Sequence, residues 1–417
     1  MFYIIRKIIV YLFQDLQIEA IMAFMTLNKI QFSSYKRFGA KESLTIRPVT
    51  LLVGKNSSGK SSITKLLAIL AKSFSGTLKK SAMVLDTDGV SLGVSYQSLC
   101  HNGNSTGLSL GVAYDNDVSL DIELIASPKD EIQILQYAVT AKGRKNVIKL
   151  AEDRINYICD ATGKHYTNTG FSGFIHKQFL ADLGIQDEFG FKVDYIGPLR
   201  CEPMRNYYYI GGDLADNVGP KGDNAYQLLC ADEGLVRKVS QWFEVNFNGC
   251  RLRVESGSEK GAYLIQMHKS DNEDYWVNIA DEGMGMSQVL PIVTRCFYPV
   301  SGSIVVIEQP ELHLHPAAHA ELARLFAQSC KSNRQSYVIE THSENVLLGL
   351  RDAVVDPDID ITADDVIIYF IDEDEDGAYL KEIFIEEDGT LTDWPQGVFN
   401  ESYELLKSIM EKAYKKK

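Results

Sequence analysis

The sequence predicts an α/β fold, and three apolar strands carry that prediction. VTLLV (49–53), SIVVIE (303–308) and SYVIE (336–340) each run into a loop and then an amphipathic helix. After the first, SSITKLLAILAKSF places Ile63, Leu66, Leu67 and Leu70 on one face. After the second, a helix is expected over Pro316 to Lys331, and the third runs into THSENVLLGL.

The flanking segments extend this frame. LNKIQFSSYKRFG and SLTIRPVTLLVG, from Leu27 on, read as strands leading into the first apolar run. Between about Val84 and Leu150, short alternating segments such as GLSLGVAY and SLDIELIA predict antiparallel strands beside the core. Residues 151–250 mix Tyr- and Gly-rich loops with a helix around Ala225 to Phe247, then RLRVE and AYLIQMH read as strands. A further helix is expected to start near Ser287, and the tail reads as a hairpin, a DWP turn and an amphipathic helix ending in Lys415 to Lys417. Five segments follow: an N-terminal extension (1–25), a lobe with an antiparallel β subdomain (26–150), a helical insertion or lid (151–250), a second core lobe (251–370) and a small C-terminal hairpin and helix (371–417). There are no sustained heptads, so no long coiled coil is expected, and there are no repeats.

Composition limits the class. The 417 residues are 45% hydrophobic and 24% charged, which suits a globular chain with a large core. The net charge of −14 lowers the prospect of a stand-alone DNA binder, because a basic face would have to be local. The seven cysteines are scattered without a CxxC, which fits reduced thiols in a cytoplasmic protein. At the N-terminus, the apolar run Ile8 to Phe13 is interrupted upstream by Arg6 and Lys7 and is far shorter than the roughly 20 residues of a membrane span. That segment reads either as translation from a start upstream of Met22 or Met25, as an amphipathic contact helix, or as a membrane-surface segment.

Four motifs carry chemistry. GKNSSGKS, from Gly54 to Ser61, matches the phosphate-binding G-x-x-x-x-G-K-[ST] pattern between a buried strand and a helix. Its glycines let backbone N–H groups of Lys55, Asn56, Ser57, Ser58 and Gly59 curl around phosphates, with the helix N-terminus adding positive potential through Ser62. Lys60 is placed to reach the β/γ-phosphates of ATP, and the Ser61 hydroxyl to ligate Mg²⁺. In SIVVIEQPELHLHP an apolar strand ends in Glu308, a second candidate Mg²⁺ ligand. VIETHS places His342 at a strand tip, where a lone histidine is more often structural. DEGMGMSQVLP, Asp281 to Pro291, combines Gly283 and Gly285 with Ser287, a candidate helix cap facing an anion.

In this order, the four motifs resemble the ABC-type ATPase heads of the SMC, RecF and OLD group. The resemblance is closest to bacterial AAA-family ATPases with IEQPELHLHP and a small C-terminal DWP domain. It rests on GKNSSGKS, YIGPLRCEPMR, DEGMGMSQVLP, IEQPELHLHP, ETHS and DGTLTDWPQGVF, and spans Met25 to the end. The resemblance implies a homodimer or higher homo-oligomer in which Lys60, Ser61, Glu308 and His342 of one copy hold ATP-Mg²⁺. Gly285 and Ser287 of another copy would then close over the γ-phosphate. It further implies a Q-loop between the P-loop helix and the antiparallel strands, with Gln97 as candidate. Many such relatives look like components of anti-phage defence, working beside a nuclease or toxin effector.

One departure bears on hydrolysis. These heads usually end the second strand in Asp-Glu, with the Glu as base, whereas this chain has Glu308-Gln309. Gln309 could orient water, or Glu311 could supply the carboxylate, since phosphoryl transfer depends on positioning more than on a strong base. Hydrolysis of ATP to ADP and phosphate is therefore expected to be slow.

Other features have plainer readings. His313, His315 and His319 suggest zinc but fall where the resemblance puts a subunit-interface loop. IDEDEDG (371–377) mimics a calcium loop, yet its twelfth position from Asp372 is Ile383, so a solvated hairpin turn is expected. Arg200 and Arg205 read either as ion-pairing residues or as nucleotide or neighbour contacts. The leading function is an ATP-driven switch that senses infection and controls an effector. The alternative is a RecF-like DNA repair or DNA-end-binding ATPase, and a transporter subunit fits poorly.

Overall fold

The computed structural model describes residues 25–78, 82–104, 107–127, 131–185, 189–268, 275–394 and 407–412. The readings of residues 1–24, of the end of the DWP segment (395–399) and of the C-terminal helix outside 407–412 lie outside them.

A six-stranded sheet forms the centre, in the order Lys192–Ile196, Ser303–Glu308, Ser336–Glu340, Val49–Gly54, Val366–Asp374 and Gly377–Ile383. The first five strands are parallel and the last is antiparallel. Parallel strands are joined by crossovers that cover both faces, so their sequences read as continuous apolar runs. All of Ser303–Glu308 is buried accordingly, as is Val49–Gly54 up to its last residue. Side chains alternate between faces. Leu52, Val306, Val338 and Ile367 pack with Ile63, Leu66, Leu67 and Leu70 of helix Lys60–Ser73. Leu51, Val53, Val305, Ile307 and Ile339 face the other way, onto helices Met284–Phe297, Pro316–Ser332 and Glu344–Val355.

The first of these cores is closed by an eight-stranded antiparallel sheet. It begins with Leu27–Ser33 and Glu42–Thr45, continues through Ser109–Tyr114, Ser119–Ala126, Ile132–Ala141 and Arg144–Leu150, and runs on to His165–Thr167. The β subdomain thus passes the boundary expected at residue 150. The hairpin expected to start a C-terminal unit at 371 instead completes the central sheet, with its turn closed by the Asp374–Gly377 pair.

Two helical readings are corrected. The helix expected over Ala225 to Phe247 is two, Asn224–Ala231 and Glu233–Asn246. They part at Asp232, whose carboxylate accepts from the N–H groups of Gly234 (2.7 Å) and Leu235 (3.0 Å) and caps the second. The helix expected near Ser287 begins at Met284, capped at Gly283. Ser287 lies inside its first turns, 1% exposed, and donates to the Met284 carbonyl (3.0 Å) instead of capping. Pro291 lacks the N–H that would bond the Ser287 carbonyl, and the Tyr226 hydroxyl donates to that carbonyl at 3.5 Å.

The edge strand Lys192–Ile196 is tied to the core by a buried polar knot. Arg295, fully buried, donates Nε to Asp194 (2.6 Å), Nη1 to Gln335 (2.9 Å) and to the Tyr298 carbonyl (2.8 Å), and Nη2 to Ser303 (2.8 Å). Burial pushes the Asp194 carboxyl upward, opposed by the adjacent guanidinium. All seven cysteines are free. Among the described residues, no helix is long and apolar enough to cross a membrane.

Candidate phosphate-binding site

The loop after Val49–Gly54 adopts backbone that only its own residue types tolerate well. Gly54 has φ 152° and Gly59 φ 115°. A Cβ on Gly54 would lie 2.7 Å from the Ile371 carbonyl oxygen, and one on Gly59 would lie 2.9 Å from the Phe38 ring. Between them the chain curls and enters the 14-residue helix Lys60–Ser73, whose N-terminus has neither a side-chain cap nor an acidic residue in its first turn. Its N–H groups and dipole are therefore left for an anion. The Ser58 hydroxyl, 7% exposed, is buried without a hydrogen-bond partner. An orphan buried donor beside such a loop is what a phosphate oxygen would satisfy.

A cleft of about 260 Å³ opens here, lined by Arg37, Asn56 to Ser62, Gln309, Glu340 and His342. Lys60, 3% exposed, donates Nζ to the Gly54 (2.9 Å) and Lys55 (2.6 Å) carbonyls. Burial lowers its pKa, and the Glu340 charge opposes that. His342 is held below the usual imidazole range by desolvation and by the Lys60 charge, with Glu311 opposing. It is thus a neutral ring at the cleft wall near pH 7, able to donate one hydrogen bond and accept another.

Two models of AAA-type ATPase domains match the chain. Residues 25–181 match one described as "AAA ATPase domain", and residues 201–349 match one described as "AAA domain, putative AbiEii toxin, Type IV TA system".

Both stretches are similar to AAA-type ATPase domains.

Residues 361–409 match a model described as "Protein of unknown function (DUF3696)". A search of the curated proteins finds no match. Among solved structures, the SMC head domain from Thermotoga maritima is 12% identical at a TM-score of 0.40, covering 86% of this chain and 98% of that one. An SMC head domain with an extended coiled coil, bound to the C-terminal domain of ScpA derived from Pyrococcus furiosus, is 11% identical at 0.42, covering 93% and 100%.

The ATPase motifs converge, with a strand between them. Ser336–Glu340 lies between the P-loop strand and Ser303–Glu308, and the Ser61 hydroxyl proton does not go to Glu308. Ser61 instead donates its hydroxyl to Glu340 (2.8 Å), while Glu308 Oε1 accepts from Thr64 (2.5 Å) and Tyr195 (2.8 Å). The hydroxyl of Ser61 and the carboxylates of Glu308 and Glu340 are hard oxygen donors of the kind Mg²⁺ takes.

The two base candidates are differently placed. Gln309 lines the cleft, with a left-handed backbone (φ 47°). Glu311 is turned to the next strand tip, its Oε1 accepting from Thr341 Oγ1 (2.8 Å) and from the His342 N–H (2.9 Å). Arg200, 5% exposed, lies beneath this turn and donates Nη2 to the Glu308 (2.8 Å) and Gln309 (3.1 Å) carbonyls. Arg205 forms an exposed ion pair with Asp281 at 2.6 Å. His319 bonds Ser343 (2.7 Å), and His315 caps helix Pro316–Ser332.

Gln97 lies away from the cleft, and Gly285 and Ser287, expected to act from another copy, also stand outside it. Gln97 is exposed, donates to the Gly103 carbonyl (3.4 Å) and is not among the cleft residues. Gly285 packs so closely on the loop after Glu308 that a Cβ would meet the His313 oxygen at 2.7 Å, and Ser287 is buried behind it. Sequence reasoning passed over Arg37, Thr64, Tyr195 and Glu340. Only Glu340 carried a clear signal, because SYVIE repeats the SIVVIE pattern of an apolar strand ending in Glu.

Proposed function

We propose that the chain binds ATP with Mg²⁺ and hydrolyses it slowly between two copies arranged head to tail. The observation that carries this reading is that the exposed Met284 helix start lies outside the lining of the phosphate cleft. The phosphate cleft is lined by the P-loop, Gln309, Glu340 and His342, whereas the Met284 helix start is turned outward beside His313. Met284, 48% exposed, and the helix N-terminal N–H groups behind it form a surface that suits an anion presented by a neighbour.

In this mechanism Lys60 and the P-loop N–H groups bind the β/γ-phosphates. Bound Mg²⁺ would be held by Ser61 with Glu308 nearby and would neutralise charge developing on the phosphate oxygens. Gln309 orients the attacking water, and its placement in the cleft supports it over Glu311. Glu311 acts on His342 by fixing the backbone turn that carries it. Lacking a carboxylate at 309, the site turns over slowly and holds the ATP-bound, closed state for long periods. Such a timer suits a switch that holds or releases a separate effector. The type IV toxin–antitoxin description of the model matched over 201–349 supports an effector setting such as anti-phage defence.

The test is light scattering of the protein with ADP, with ATP and with a non-hydrolysable ATP analogue. Mass should rise with ATP or the analogue and fall as ADP accumulates. An unchanged mass in all three would rule out closure between copies.

A further inference from the structure

Glu308 and Glu340 are register partners at the ends of adjacent parallel strands, each 3% exposed. Two carboxylates this close and this dry repel one another, which a cation between them would relieve. Their hydroxyl donors are divided. Thr64 and Tyr195 both serve Glu308, and Ser61 serves Glu340. A Ser hydroxyl has one proton and two lone pairs. With its proton fixed on Glu340, Ser61 must turn its lone pairs away from that carboxylate, towards the cleft that both residues line.

We propose that Glu340 is a positioning residue for the divalent cation: it orients the Ser61 hydroxyl and supplies, with Glu308, the second negative charge of the cation site. This rests on the nucleotide-site reading above, and adds a carboxylate from strand Ser336–Glu340 to the Ser61 and Glu308 pair. The cation class follows from the donors, which are oxygens only, two of them anionic, as hard divalent ions prefer. Glu308 differs in that its Oε1 is engaged a helical turn further along, at Thr64.

Mn²⁺ tests this directly, by the electron paramagnetic resonance signal of the free ion titrated against protein and ADP. Glu340→Gln keeps the size and an oxygen acceptor while removing the charge, and should weaken Mn²⁺ binding about tenfold or more, the range for an outer partner of a metal ligand. ADP affinity in EDTA should be unchanged or tighter, since a negative charge beside the phosphates has gone. Glu308→Gln should also weaken Mn²⁺. If Glu340→Gln leaves Mn²⁺ affinity within twofold of wild type, the inference is overturned. Equal weakening of ADP in EDTA also overturns it, because Glu340 would then be holding the loop and not the cation. Wild type that binds no ADP would overturn the nucleotide site as a whole, a result distinct from either.

Discussion

Arg200 holds the backbone at Gln309: its guanidinium donates to the carbonyls of Glu308 and Gln309, and Gln309 keeps a left-handed φ of 47°. Such a conformation costs a non-glycine residue roughly 1–2 kcal/mol. A buried cation beneath the turn offsets that cost, and Gln309 lines the cleft. Replacing Gln309 therefore tests water positioning with little effect on stability. Gln309→Ala should lower single-turnover ATP hydrolysis by about 10², the order expected when a reacting group loses its placement. Gln309→Glu should match or exceed wild type. Hydrolysis unaffected by Gln309→Ala would mean that the water is oriented elsewhere.

Glu311 has the opposite profile. Its bonds to Thr341 and the His342 N–H are structural, so Glu311→Gln should keep one acceptor and reduce hydrolysis less than Gln309→Ala does. A loss of about 10² or more for Glu311→Gln, with an unchanged melting temperature, would make Glu311 the general base instead.

At the outward-facing helix start, Met284→Arg adds bulk and charge at an exposed position and spares the buried Ser287. ATP affinity of the single copy should stay within about threefold, since Met284 does not line the cleft. Association with ATP and steady-state turnover should both fall. Turnover equal to wild type would show that this helix start has no part in the reaction.

Much of this was legible in the sequence. The parallel strands announced themselves because a sheet covered on both faces needs unbroken apolar runs, and GKNSSGKS required a strand before and a helix after. Placement across strands was not legible. Nothing in SIVVIE or SYVIE says which lies beside the P-loop strand, so the Ser61–Glu340 hydrogen bond was not legible there. Ser287 was read as a cap because Ser often is, but Gly283 already supplies the extended backbone there. Asp232 broke a helix that periodicity alone would have continued.

The Asp194–Arg295 pair predicts a large stability effect far from the P-loop. Asp194→Ala would leave the guanidinium buried with its carboxylate partner gone, a loss of about 3–5 kcal/mol. Urea unfolding measures it. A change under about 1 kcal/mol would mean that Gln335, Ser303 and the Tyr298 carbonyl suffice to hold Arg295.

The central claim is that the loop from Gly54 to Ser61 binds nucleotide phosphates, and titration calorimetry of a non-hydrolysable ATP analogue with Mg²⁺ tests it most directly. Wild type should bind, and Lys60→Ala should lose about tenfold or more in affinity, because it removes the buried cation of the cleft and a charged hydrogen bond worth about 1.5–3 kcal/mol. Equal affinity in the two proteins, or no binding by wild type, would contradict the account.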